Sequence, residues 1–217
     1  MFKRLIIIMS FLLASISNSF SVEKNIGISI SAGVFETSAK EREGDETSIS
    51  KDAEGLFGLA SVFFEIEPND KFALGIDYVP HSLETETTDH EQDDSTTVEA
   101  TTTVSNKVQV DFEDLITLYA KLNLNNNFYL KAGYMQVEAV TNETLGTGSI
   151  YGDKTLSGMT VGLGYNLDLD TGTFVRFEGN WMQFGGETFT STNNPDNKVD
   201  VDDIDGYGAR ISIGKSF

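Results

Sequence analysis

Residues able to do chemistry are few in this chain of 217. There are two histidines, His81 and His90, and no cysteine. Nucleophilic catalysis needs a hydroxyl or thiol, a base and an orienting acid within hydrogen-bond reach. His81 stands between Pro80 and Ser82, and His90 stands among carboxylates. No spacing here lays out such a triad, and loop histidines beside acids account for both. Asp200, Asp202, Asp203 and Asp205 form an acidic run before Gly206. A calcium loop of the helix-loop-helix type needs carboxylates at its first and twelfth positions around a glycine at the sixth. With Gly206 as that glycine, Val201 falls first and Ser212 twelfth, and neither suits. What remains is weak association of divalent cations with acidic loops, with no dedicated metal site and no cofactor. Asn142-Glu143-Thr144 has the form of a glycosylation sequon, a pattern short enough to occur by chance.

The other charges worth attention sit inside alternating runs. Period-two alternation recurs along the chain, and helical periodicity is hard to find. The first run sets Ile26, Ile28, Ile30, Ala32 and Val34 against Gly and Ser. The second puts Leu56, Ala60, Val62, Phe64 and Ile66 on one face before a turn at Pro68-Asn69-Asp70. The third has Phe72, Leu74, Ile76 and Tyr78 against Lys71, Ala73, Gly75 and Asp77, and Pro80 ends it. The fourth has Val108, Val110, Phe112, Ile116, Leu118, Ala120 and Leu122 against Gln109, Asp111, Glu113, Thr117 and Lys121. The fifth sets Phe128, Leu130, Ala132 and Tyr134 against Lys131 and Gly133. Beyond Tyr134 the alternation reverses, which points to a bulge. The sixth sets Met159, Val161, Leu163, Tyr165 and Leu167 against glycines. The seventh sets Val175, Phe177 and Trp181 against Arg176, Glu178 and Asn180. The eighth sets Tyr207, Ala209, Ile211, Ile213 and Phe217 against Gly206, Gly208, Arg210, Ser212 and Gly214.

Connections alternate in length. Short turns follow the second, fourth and sixth runs. Long connections, 37–53, 81–105, 141–155 and 185–203, follow the others. Acid concentrates in them: Glu84, Glu86, Asp89, Glu91, Asp93, Asp94 and Glu99 in the second, and Glu187, Asp196, Asp200, Asp202 and Asp203 in the fourth. Such composition predicts solvated, mobile loops.

The N-terminus has an export pattern. Lys3 and Arg4 precede an apolar stretch over 5–14, and small residues follow. Ser19 and Ser21 flank a cut before Val22, while Ser17 and Ser19 suit a cut before Phe20. Residues 1–21 are read as a signal peptide and 22–217 as one domain. The apolar stretch falls short of the ~20 residues of a spanning helix. The formal net charge is −19, and −21 once the two basic residues leave with the signal. Nucleic acid is excluded as a partner on charge, since phosphate binding needs clustered Lys and Arg. An exported chain without cysteine needs another means of holding itself together. A closed sheet provides it.

A soluble β protein keeps large apolar residues inside and charge outside, and a membrane barrel does the reverse. Here the face opposite the apolar one holds Gly, Ser and charges of both signs. That composition suits a narrow lumen, and mean hydropathy of −0.18 fits it. The reading is an all-β, eight-stranded antiparallel up-and-down transmembrane barrel with short periplasmic turns and long acidic extracellular loops. Buried charge must be paired. Arg176, Arg210 and Lys131 are predicted to meet Glu178 and Asp77 inside. Phe57, Leu59, Phe63 and Phe174 share the inward parity and would narrow the lumen further. Phe72, Tyr78, Phe128, Tyr134, Trp181 and Phe217 lie near run ends on the apolar face, as interface girdles do.

The last run, from Tyr207 through Ile211 and Ile213 to a terminal Phe217, resembles the closing strand of bacterial outer-membrane barrels. That resemblance implies recognition by the barrel-assembly machinery and residence in outer-membrane lipid. Lys215 departs from the pattern where an apolar residue is usual. With its runs and loop alternation, the mature length resembles the small eight-stranded family that includes the transmembrane domain of outer membrane protein A and outer membrane protein X. His81-Ser82 differs from lipid-deacylating barrels, which place their histidine and serine one residue apart on a strand. Three functions stay open: a non-catalytic structural or surface-interaction role, a narrow pore for ions or small solutes, and a lipid-modifying enzyme.

Overall fold

The computed structural model of the chain describes residues 22–42, 50–85, 88–94, 102–145 and 149–217. Residues 1–21, the expected signal peptide, lie outside them, as do Glu86 and Glu99. The strands are β1 (Glu23–Arg42), β2 (Ser50–Asn69), β3 (Phe72–Tyr78), β4 (Leu83–Glu84), β5 (Thr88–Asp94), β6 (Thr102–Asn123), β7 (Phe128–Leu145), β8 (Lys154–Asp168), β9 (Thr173–Phe184), β10 (Glu187–Thr190), β11 (Lys198–Val201) and β12 (Ile204–Ser216).

Eight of them close an antiparallel ring in the order β1-β2-β3-β6-β7-β8-β9-β12 and back to β1. The closing ladder runs from Asn25↔Ser216 to Glu36↔Asp205. Below it the Lys24 and Phe217 backbones exchange hydrogen bonds of 3.0 and 2.9 Å. Over this closed lower section the ladders have no free edge, which is how a sheet satisfies its backbone without water. Higher up, β4 and β5 take the place of β3 beside β6, and β10 and β11 form a hairpin that prolongs the wall against β1. The short turns use side chains as caps: Asn125 Oδ1 accepts from the Asn127 and Phe128 amides at 2.9 Å each.

In the lower wall the large apolar residues point outward. Ile28, Leu118, Val161 and Ile213 are 58%, 54%, 46% and 50% exposed. Inward positions carry Asn25, Ser29, Glu65, Asp77, Lys121, Lys131, Arg176 and Glu178, all buried. Aromatic rings explain some inward glycines. A Cβ at Gly75 would lie 2.3 Å from the Tyr119 ring, and one at Gly164 2.1 Å from Tyr129.

The strands are far longer than their runs suggested. β1 and β2 have 20 residues each and β6 has 22, where a spanning strand needs about 9–11. The expected long loops are therefore largely wall: β1 reaches Arg42, β7 reaches Leu145, and the fourth connection holds β10 and β11. In this upper section the arrangement inverts. Val137, Ala139, Leu156 and Phe189 are buried inside, packed by Val110, Phe112, Leu115, Phe184, Val199 and Ile204. Glu113 and Asn142 face out, exposed.

Two expectations are corrected here. No bulge interrupts β7. Its pairing is continuous, and Lys131, Met135, Val137 and Ala139 all keep the inward parity. The alternation reverses because the filling changes from ionic to apolar. The bulge lies instead in β6, where the register shifts between Glu113 and Ile116 and Asp114 takes φ 53°. One extra residue swaps faces, so Val110 and Phe112 point in while Ile116 and Leu118 point out.

Leu156→Ala should lower the unfolding free energy by about 2–5 kcal/mol, as for a buried cavity-forming change. Leu163→Ala, on the outward face, should cost less, because surrounding solvent chains refill the space. Denaturant titration of both variants in detergent micelles checks the difference.

Candidate functional site

The interior of the lower wall is the chemically distinctive region. Glu65 comes from β2, which alternation turns inward at odd positions with Phe57, Ser61 and Phe63. Arg176 comes from β9. The two make a bidentate pair, Nη1 to Oε1 at 2.7 Å and Nη2 to Oε2 at 2.8 Å. Tyr119 on β6 donates its hydroxyl to Glu65 at 2.9 Å. Lys121 reaches Glu65 at 3.3 Å and Glu67 at 2.7 Å. Asn25 on β1 donates to both carboxylates, at 3.2 and 2.8 Å. Arg176 Nε donates to Asn166 Oδ1 at 3.0 Å, and its guanidinium lies 4.2 Å from the centre of the Phe174 ring.

A second group joins Asp77 on β3 to Arg210 on β12. Ser61 donates to Asp77 at 3.1 Å, and Arg210 donates to Ser29 at 2.6 Å and to Ser61 at 3.1 Å. A third joins Lys131 on β7 to Glu178 on β9, with the Tyr129 hydroxyl on Glu178 at 2.9 Å. Across the three groups, Glu65, Glu67, Asp77 and Glu178 balance Lys121, Lys131, Arg176 and Arg210. Paired, hydrogen-bonded charge is the condition under which ions tolerate burial. The pocket between Glu65, Arg176, Lys131 and Glu178 measures about 10 Å³, at most room for one water.

The structure thus brings together Asp77 with Arg210 and Lys131 with Glu178. It does not bring Arg176 to either expected acid. Arg176 meets Glu65, which sequence reasoning passed over although its odd position on β2 marks it as inward. Glu67, Tyr119 and Tyr129 were passed over too, though all follow the same parity. Phe57, Phe63 and Phe174 are buried and Leu59 half-buried.

The aromatics of the outer face fall at two heights. Phe72, Phe128, Tyr165 and Phe217 stand at the short-turn rim, with Phe128 and Tyr165 edge to face at 5.1 Å. Tyr78, Tyr134, Trp181 and Tyr207 stand on the opposite side of the apolar band. Phe217 lies ten positions beyond Tyr207, at the end of β12. At about 3.3 Å each and a tilt of about 40°, that spans about 25 Å in height. Tyr207, Ile211, Ile213 and Phe217 are all exposed on this face.

Above the band, Asp200 joins β11 to its neighbours. Thr188 donates to it at 2.7 Å, and Arg42 pairs with it. The Thr188 hydroxyl, with Arg42 and Lys198 nearby, holds the Asp200 carboxyl below its ordinary range. Among the described residues, no three carboxylate or imidazole groups converge as a metal site requires. His81 engages backbone at both ring nitrogens: the Ala60 amide at 2.9 Å and the Ser82 carbonyl at 3.1 Å.

No family model matches the sequence, and no curated protein matches it. Solved structures do. The outer membrane protein OprG from Pseudomonas aeruginosa is 14% identical with a TM-score of 0.53, over 92% of this chain and 98% of that one. The outer membrane protease OmpT from Escherichia coli is 11% identical with a TM-score of 0.37, over 93% and 99%. The attachment invasion locus protein Ail of Yersinia pestis is 12% identical with a TM-score of 0.29, over 85% and 98%. The likeness to OprG establishes the fold, an eight-stranded barrel of the outer-membrane kind.

Glu65→Ala leaves Arg176 and Lys121 buried without their shared partner and should cost about 3–5 kcal/mol in unfolding free energy. The Glu65→Ala, Arg176→Ala double variant should lose less than the sum of the singles, as a double-mutant cycle in micelles will show. Because the Asp200 pKa is lowered by folding, its contribution is complete above the ordinary carboxylate range and is lost as pH falls through the lowered value. Amide exchange in the β10–β11 hairpin, divided by the intrinsic rate at each pH, should therefore rise in acid, and Asp200→Asn should abolish that rise.

Proposed function

We propose that the protein is an integral β-barrel of a bacterial outer membrane with a closed lumen and a non-catalytic structural or surface-interaction role. The filled interior carries this reading. Eight strands leave room for packed side chains and little else, and here the packing is ionic and the pocket among the Glu65, Arg176, Lys131 and Glu178 side chains measures about 10 Å³. The outward apolar band supports residence in lipid, since water-soluble monomers rarely expose apolar patches beyond a few hundred Å². Phe72, Phe128 and Phe217 at one rim, with Tyr78, Tyr134 and Trp181 at the other, fit the two girdles of a membrane interface. Tyr207, Ile211, Ile213 and Phe217 are the residues the assembly machinery would read during insertion. The upper wall then stands in the external medium, where its acidic outer surface offers weak sites for divalent cations and a face for partners.

Folded protein in detergent should migrate differently on a gel before and after boiling and should fractionate with outer membranes. Recovery in the soluble periplasm with unchanged migration would sink the membrane reading. In planar bilayers it should show no steady conductance. A stable open channel would replace the structural role with a pore.

A further inference from the structure

Among the described residues, one stretch of wall lacks its ladder. Pairing between β2 and β3 ends at Val62↔Tyr78. Extending that register places Pro80 opposite Ala60. Proline has no N–H to give, and β3 stops there. Above this level β2 pairs with β1 alone, while β4 and β5 pair with β6 alone. Two strand edges therefore face each other without a hydrogen-bonded ladder.

His81 sits at the foot of this seam. In an antiparallel strand alternate residues turn N–H and C=O to the same side. Ala60 is thus the first β2 residue past Val62 whose amide faces the gap. That amide donates to His81 Nε2 at 2.9 Å, and His81 Nδ1 lies 3.1 Å from the Ser82 carbonyl oxygen. An amide can only donate and a carbonyl can only accept. One protonation state satisfies both: neutral imidazole, with its proton on Nδ1. Adding a proton sets an Nε2–H against the Ala60 N–H, two donors with no acceptor between them.

We propose that His81 is a pH-sensitive latch. In its neutral form it completes the β2 backbone where Pro80 cannot, and protonation releases the β2 edge and loosens the seam above Val62. Histidine is the side chain suited to such a change near neutral pH. On β2 the residues 55–64 carry no charge. Glu84 lies on β4 and Glu113 at the β6 bulge, while Asp114 is engaged by the Tyr78 hydroxyl at 2.7 Å.

The test uses the full mature chain in lipid nanodiscs. Backbone and imidazole nitrogen resonances are followed from pH 8 to pH 5, and the exchange rate of the Ala60 amide is divided by that of Val62, which cancels the intrinsic pH dependence. At pH 8, Nε2 should resonate as the unprotonated nitrogen. The Ala60/Val62 ratio should rise at least tenfold as the His81 resonances titrate. In His81→Phe it should be high at every pH, with the gel shift on heating retained. In His90→Gln, which alters the other histidine of the chain, the step should persist. A ratio that stays flat through the His81 titration, a step that survives in His81→Phe or vanishes in His90→Gln, or a proton found on Nε2 at pH 8 would each overturn the proposal.

Discussion

The bidentate contact between Arg176 and Glu65 fixes the cross-section of this molecule. It does not join neighbouring strands. Around the ring, β2 and β9 are separated by β1 and β12, so the pair reaches across the lumen. Asp77 and Arg210 span β3 to β12 in the same manner, and Lys131 and Glu178 span β7 to β9. Hydrogen-bonded ladders set the distance between adjacent strands but leave the roundness of the ring free. Cross-lumen ion pairs remove that freedom. Their geometry also dictates the glycines. Tyr119 and Tyr129 must lie flat to reach Glu65 and Glu178, and they lie over Gly75 and Gly164, where a Cβ has no room.

An ionic filling would be a poor choice in a soluble barrel, where apolar residues of like volume often serve stability as well or better. It suits a barrel whose outside must be apolar, because an all-apolar chain would lose the distinction between its two faces. Alternation of grease and charge tells each strand which way to turn. A register slip by one residue would place Lys121 or Arg176 in hydrocarbon, at a cost of several kcal/mol. Higher up, where the strands outrun the apolar band, that reasoning reverses. Water now lies outside, and the apolar residues go in. Strands β7, β8, β9 and β12 make the change by altering which residues occupy the inward parity. Strand β6 instead keeps its even positions apolar and rotates them with the bulge at Asp114.

This explains what alternation made legible and what it hid. Closed antiparallel architecture, outward grease and an inward set of charges follow from period two and from the identity of the small face. The partner of Arg176 does not. Parity says that Glu65 is inward, but not which acid lies at its height, since height depends on stagger between strands that are far apart in sequence. The long connections were misread for a related reason. Short stretches rich in threonine and other polar residues show little period-two contrast, as in 102–107 or 187–190, yet strands β6 and β10 run there. The reversal after Tyr134 was visible as a change in pattern, yet a bulge and a change of filling produce the same pattern in one strand. Only the neighbouring ladders distinguish them, and these place the bulge in β6.

The two fillings also divide the wall into sections held in different ways. Below, ion pairs tie β2 to β6 and β9, and β3 to β12. Above, the apolar cluster draws on β6, β7, β8, β9, β10, β11 and β12, and its named members include none from β1 or β2. The upper half of β2 therefore leans on β1 through its ladder while its other edge meets an unladdered seam. Local opening is cheapest where buried apolar contacts are few and backbone pairing is one-sided. The same interruption at Pro80 that ends β3 thus leaves the upper part of β2, among the described residues, paired on one side only. That weakness sits immediately above the level at which Asp77 and Arg210 lock the wall, so the lower ring can stay closed while the edge above it moves.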